Sequence, residues 1–206
     1  MGSDRLIRIV ALISGRGSNL KAIIDAIASG QIDGRIVAVV SSSPDAPGLA
    51  FARESNIPAV VLEKRPYTDP EEYGDAMAEL IEPYCPDLIV TAGFMYLLRG
   101  RFLERYHGKI MNIHPTLLPA FPGAHPHRDV LRYGAKISGC TVHFVDDGID
   151  SGPIILQEAV PVLPDDDEET LAMRVLHVEH RLFPLAISLF AQGRLRIEGR
   201  KVRILG

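Results

Sequence analysis

Asn112 and His114 stand two residues apart in MNIHPTLLPAFPG (111–123), and Asp150 follows in the turn GIDS (148–151). On a strand, side chains two apart point to the same side. An imidazole beside a carboxylate can hold a proton near neutral pH, and so serve as an acid or as partner to an oxyanion. An Asn amide next to it can donate to a carbonyl oxygen as negative charge develops there. Asp150 lies in the turn between two later strands, where it can fold back against His114. Spacing alone does not compel this, because isolated His and Asp residues are mostly structural or solvated. Pro115, Pro119 and Pro122 preset much of the loop's backbone, which suits a segment that must hold side chains still. Whether Leu118–Pro119 is cis is left open.

A second candidate is SGRGSNL (14–20). Gly15 and Gly17 permit a tight turn, and the amides of Gly17, Ser18 and Asn19 would open a helix. That is a seat for a phosphate by geometry and partial charge. It is neither a dinucleotide fingerprint, since Leu20 stands where the third glycine belongs, nor a P-loop, since the Gly-Lys-Ser/Thr ending is missing. The alternative is a tight turn without a ligand.

Other polar residues read more plainly. His125 and His127, in HPHR, lack the spacing and the Cys or Glu neighbours of a metal site, so a helix start or a binding-loop contact is expected and no metal. His143, in TVHFV, reads as a satisfied half-buried residue, and His107, His177 and His180 as solvent-facing. The run DDDEE (165–169) suits a helix start, where the dipole favours acids. Glu179, farther along that helix, could hold sugar hydroxyls if the helix passes the phosphate loop. Cys85 and Cys140 read as small buried hydrophobes rather than nucleophiles.

The elements that must position these groups follow from periodicity. Apolar, β-branched runs at 7–14, 35–42, 59–63 and 87–93 alternate with helical patterns. Helix one, SNLKAIIDAIASG, has Leu20, Ile23, Ile24 and Ile27 on one face, Ser18 as N-cap and Gly30 as its stop. PGLAFARESN and DPEEYGDAMAELIEPY read as the next two helices. This is the pattern of an α/β domain: an open, mostly parallel twisted sheet with helices on both faces. A fifth strand, KIMNIH (109–114), puts Asn112 and His114 at its carboxyl end, where such sheets bind ligands. A short helix, PHRDVLRYG, comes next, then two extended strands at 137–147 and 152–162. A long helix over 165–193 carries a stripe of Leu171, Val175, Val178, Leu182, Leu185 and Leu189, with Pro184 expected to kink it. RLRIEGRKVRIL forms a closing hairpin.

Composition sets the outer limits. The chain has 206 residues, 47% hydrophobic and 23% charged, which fits one globular unit. A net charge of −4 argues against nucleic acid as the main partner. Two cysteines are too few for a disulfide framework, so a reducing cytoplasm is the simpler setting. Arg8 interrupts the first apolar run, which does not read as a signal peptide, and no run has membrane-span length. The MGSD opening does not meet the myristoylation pattern, because Leu6 stands where Ser or Thr is needed.

NIHPTLLPAFPGAHPHRDVL followed by GCTVHFVDDGIDSGPIILQ resembles the signature region of the folate-dependent formyltransferases. SGRGSNL, AGFM (92–95) and VEHRLFP (178–184) extend the likeness over essentially the whole chain, toward the branch acting in purine synthesis. The resemblance implies a single-domain, Rossmann-like formyltransferase fold, with a phosphate-binding half over about 5–105 and a catalytic and folate-binding half over about 106–206. It implies formyl transfer from 10-formyltetrahydrofolate to the amine of 5′-phosphoribosylglycinamide. Asn112 and protonated His114 would stabilise a tetrahedral intermediate, with Asp150 keeping His114 charged. Gly17, Ser18 and Asn19 would take the phosphoribosyl group, with Glu179 on its ribose. Met95, Leu97, Leu98, Asn112, Val145, Asp146 and Asp150 would line the folate site. Tyr96 and Pro70 stand where the family often has basic residues, which bears on how the folate's glutamyl tail is held. The partners implied are small molecules, with no nucleic acid and no membrane; a homodimer is left open. The methionyl-tRNA branch would add a carboxyl-terminal domain and basic surfaces, and the formyltetrahydrofolate hydrolases an amino-terminal domain. A non-catalytic phosphate-binding module is the rival of another class.

Overall fold

The computed structural model describes residues 6–206; the MGSD opening lies outside them. β1 (Ile7–Ile13) shows why the chain stacks in three layers. Its Ile9, Ala11 and Ile13 join one buried cluster, and Val10 and Leu12 join another. Strand side chains alternate between faces, so an apolar run without polar relief must be covered on both. α1 (Ser18–Ala28) and α6 (Glu168–Ala191) cover the first face through Leu20, Ile23, Leu171 and Val175. α3 (Pro70–Ile81) covers the second with Tyr73, Met77 and Ile81, helped by Phe102 of α4 (Arg101–Arg105).

Beside β1 lie β2 (Gly34–Ser41) and then β3 (Ala59–Val61) on one flank, β4 (Leu88–Thr91) and then β5 (Ile110–His114) on the other, all parallel. The chain therefore reverses its direction of travel across the sheet between β1 and β4, and their carboxyl ends open a crevice there. α2 (Leu49–Glu54) links β2 to β3, and α5 (Pro126–Tyr133) follows the proline loop. β6 (Ile137–Phe144) and β7 (Ile154–Pro161) continue the sheet antiparallel, placing Asn112 opposite His143 and His114 opposite Thr141. Among the described residues, the hairpin β8 (Leu195–Glu198) and β9 (Lys201–Ile204) completes nine strands in the order β3-β2-β1-β4-β5-β6-β7-β9-β8. The fold is thus the predicted one: a mostly parallel α/β sheet in a single domain.

Local expectations need four corrections. The N-cap of α1 is Gly17, in the left-handed region at φ 74, and no side chain caps the helix; Ser18 is its first residue. Leu185 is 49% exposed, because the buried face of α6 turns instead through Phe183, Ala186 and Ile187. Cys85 is exposed after a single 3₁₀ turn, at φ 44, while Cys140 is buried and its thiol is pushed up to about 12 by that burial. α4 was absent from the expected elements, since five residues carry too little periodicity. α6 runs unbroken through Pro184, and its start is the acid-favouring cap expected: Asp167 and Thr170 exchange hydrogen bonds in a capping box. No helix among the described residues is long and apolar enough to cross a membrane.

Candidate active site

A cavity of about 1090 Å³ occupies the crevice at the carboxyl ends of β1, β4 and β5. One end is the β1–α1 loop. Gly17 there cannot carry a side chain: a Cβ would sit 2.5 Å from the Gly48 Cα. This close approach, backed by a Gly48 N–H bond to the Gly15 carbonyl at 3.0 Å, leaves the first amides of α1 facing outward. Arg16, Ser18 and Asn19 line the cavity beside them, whereas Gly17 is not among its lining residues. Asn19 donates from Nδ2 to Glu179 Oε2 at 2.8 Å, so α6 does pass the loop. Burial raises the Glu179 pKa, and the bond from Asn19 only partly offsets that. Asn19 Oδ1 is buried with no partner among the described residues.

The middle is built by β5, β6 and two loops. His114, 4% exposed, has Nε2 2.9 Å from the Phe121 carbonyl and Nδ1 3.3 Å from Asp150 Oδ2. The ring thus has a hydrogen-bonded carbonyl oxygen at Nε2 and a carboxylate oxygen within ion-pair distance of Nδ1. Asp150 Oδ2 also accepts from the Gly123 N–H at 2.8 Å, which ties the β6–β7 turn to the proline loop. Phe121 and Asp150 both sit in the left-handed region, at φ 54 and 49, a strain of about 1–3 kcal/mol each of the kind found at functional sites. Leu118–Pro119 is cis.

Asn112 is fixed from both sides. Its Oδ1 accepts from Thr91 Oγ1 at 2.6 Å, and its Nδ2 lies 3.1 Å from His143 Nε2. His143 is fully buried at 2% rather than half-buried. Its burial lowers its pKa, outweighing the Phe144 carbonyl and Asp150, which push the other way. The neutral ring gives its Nδ1 proton to the Phe144 carbonyl at 2.8 Å, leaving Nε2 to accept from Asn112. One Nδ2 hydrogen remains for the cavity. His143 thus holds Asn112 in place, a contact that residue types and spacing did not indicate. The signal was its pairing opposite Asn112, visible only once the register is known.

At the other end, Met95, Leu97, Leu98, Val145 and Asp146 line the cavity with Asn112 and Asp150. Met95 and Leu97 are 62% and 42% exposed, an apolar rim open to solvent. Of the remaining histidines, His125 precedes α5 as its N-cap residue and His127 lines the cavity, its pKa lowered first by burial and then by His114. His107 and His177 are exposed; His180 is not, for its Nε2 is covered and unpartnered among the described residues because α6 packs on α1. No group of three or more His, Cys, Asp or Glu residues among those described is placed to hold a metal ion.

The family model described as formyl transferase matches residues 7–187. Over 189 residues the chain is 46% identical to the phosphoribosylglycinamide formyltransferase of Escherichia coli K12, covering 92% of this chain and 89% of that one. The solved glycinamide ribonucleotide transformylase 1 of Symbiobacterium toebii superposes with a TM-score of 0.95 at 50% identity, over 98% of this chain and 95% of that one. A formyltetrahydrofolate deformylase from Pseudomonas syringae superposes with a TM-score of 0.91 at 25% identity, over 98% of this chain and 67% of its own length.

Proposed function

The chain belongs to the formyl transferase family, and from that premise we propose that it transfers the formyl group of 10-formyltetrahydrofolate to the amine of 5′-phosphoribosylglycinamide. The observation that carries the reading is one cavity with three unlike parts: a helix amino terminus, a polar centre and an apolar rim. A phosphorylated sugar amine and a large flat formyl donor would fill the two ends and bring their reacting atoms to the middle. The amides of Gly17, Ser18 and Asn19 would hold the phosphate. Glu179 would take ribose hydroxyls, and the orphaned Asn19 Oδ1 offers an acceptor to one of them. Met95, Leu97, Leu98, Val145 and Asp146 would flank the folate. On this reading residues of about 5–105 bind phosphate, and those of about 106–206 carry the chemistry.

The amine nitrogen attacks the formyl carbon, and a C–N bond forms as the carbonyl electron pair moves onto oxygen. Asn112 presents its free Nδ2 hydrogen to that oxygen. His114, with Nε2 taken by the Phe121 carbonyl, shares its Nδ1 proton between the oxygen and Asp150, whose carboxylate balances the imidazolium. The electron pair then returns, the bond to the folate nitrogen breaks, and that nitrogen gains the proton the amine loses, carried through water. Neither carboxylate nor imidazole needs to move far, because each is already hydrogen-bonded in place.

A spectrophotometric assay with both substrates tests this. Transfer by the wild type, falling on the order of 10²–10³ in His114→Ala, is the expected result. Donor hydrolysis that ignores the amine would replace transfer with a deformylase reading. Thermal-shift titration separates the remaining rival, since a phosphate-binding module would ignore a folate analogue.

A further inference from the structure

His114 leans on a backbone group. Its Nε2 meets the Phe121 carbonyl at 2.9 Å, and Phe121 holds a left-handed φ of 54. A bulky residue keeps that conformation only where its surroundings impose it. One side chain imposes it from within the loop. Thr116, with no exposed surface, donates its hydroxyl to the Ala120 carbonyl at 2.7 Å, with the Phe121 carbonyl 3.2 Å away. The loop's other edge is clamped to the sheet. Thr141 donates to the Thr116 carbonyl at 2.7 Å and accepts from the Leu118 N–H at 3.0 Å, and Gln157 donates to the Leu118 carbonyl at 2.8 Å.

We propose that Thr116 is a positioning residue for His114: its hydroxyl closes the 116–121 turn so that the Phe121 carbonyl stands as the fixed acceptor for Nε2. With that acceptor fixed, one ring orientation satisfies both edges, and Nδ1 faces Asp150. With it loose, the ring can turn over about its Cβ–Cγ axis and present carbon where Nδ1 is needed. Thr116 touches no reacting atom in this scheme and lines no part of the cavity. Only the kinetic arm of the test rests on the formyl-transfer reading.

Thr116→Val keeps the shape and removes the hydroxyl; Thr116→Ser keeps the hydroxyl, and Thr116→Ala is a less bulky alternative to Val. The expected result is a kcat about tenfold lower in the Val or Ala variant, KM for both substrates within about twofold, and Ser restoring most of the loss. In the substrate-free protein, ¹⁵N spectra of the imidazoles should show a protonated Nε2 on His114 in the wild type and Ser variant. In the Val or Ala variant that signature should weaken toward a mixture of states. A Val or Ala variant with kcat within twofold of wild type, a Ser variant as impaired as they are, or an unchanged His114 pattern would overturn the assignment. If the wild type transfers no formyl group, the reaction reading fails, and the imidazole spectra still decide the role of Thr116.

Discussion

The two ends of the polar cavity are made by opposite means. At the β1–α1 end the useful groups are backbone amides, and they are aimed by two glycines that meet across the loop, Gly17 and Gly48. At the β5–β6 end the useful groups are side chains from separate segments, each aimed by another side chain or carbonyl: Asn112 by Thr91 and His143, His114 by Phe121 and Asp150. A backbone seat is shaped by what is missing, and it fails when something is added. A side-chain centre is shaped by what is present, and it fails when something is removed. On the proposed reading, the first would govern binding and the second the reacting step.

Asn112→Ala puts the contrast to its hardest test. It should lower kcat on the order of 10²–10³, with the circular-dichroism spectrum intact and KM for the phosphorylated substrate little changed. A loss confined to KM would erase the division. Gly17→Ala is the mirror experiment. A methyl at φ 74, 2.5 Å from the Gly48 Cα, should cost about 1–3 kcal/mol of stability by thermal unfolding and raise that KM about tenfold, with kcat at saturation within about threefold of wild type.

Smaller effects sharpen the boundary. Burial raises the Glu179 pKa, so the folded state holds that proton more readily than the unfolded chain does. Stability from this group is then fully present below the ordinary carboxylate range and is lost as pH rises from there through the raised folded-state value. Glu179→Gln keeps an oxygen for Asn19 and should gain about 1 kcal/mol at neutral pH, while KM for the ribosyl substrate rises severalfold. Burial lowers the His143 pKa, so the sign reverses: the unfolded chain takes the proton first as pH falls below about 6.5, and stability drops. Thermal melts across pH 5–7 should show a positive slope of at most about 1.4 kcal/mol per pH unit from this site, and His143→Gln should flatten it.

The same contrast decides what could be read from the amino acids alone. Gly15, Gly17 and the helical stripe after them are contiguous, so the tight turn that opens α1 was legible in a few letters. The apolar runs of β1, β2 and β4 were legible too, since a strand buried on both faces leaves no polar alternation to confuse. Asn112 and His114 were chosen correctly as neighbours on one strand face. That Asp150 would reach His114 depended on a turn whose residue adopts φ 49, which no local preference dictates. His143 is satisfied as expected but more deeply buried, and its contact with Asn112 was not legible because it spans a separation of 31 residues. Leu185 and His180 went astray for one reason: the face a long helix buries is set by its neighbours, not by the stripe alone.

The antiparallel register of β5 and β6 has a consequence for how this molecule can change. Asn112 lies opposite His143, and His114 opposite Thr141. Adding or deleting one residue in either strand would turn its half of the centre to the far side of the sheet in a single event. Length variation in this stretch should therefore be confined to the exposed connection around α5, while the strands can accept only like-for-like exchanges.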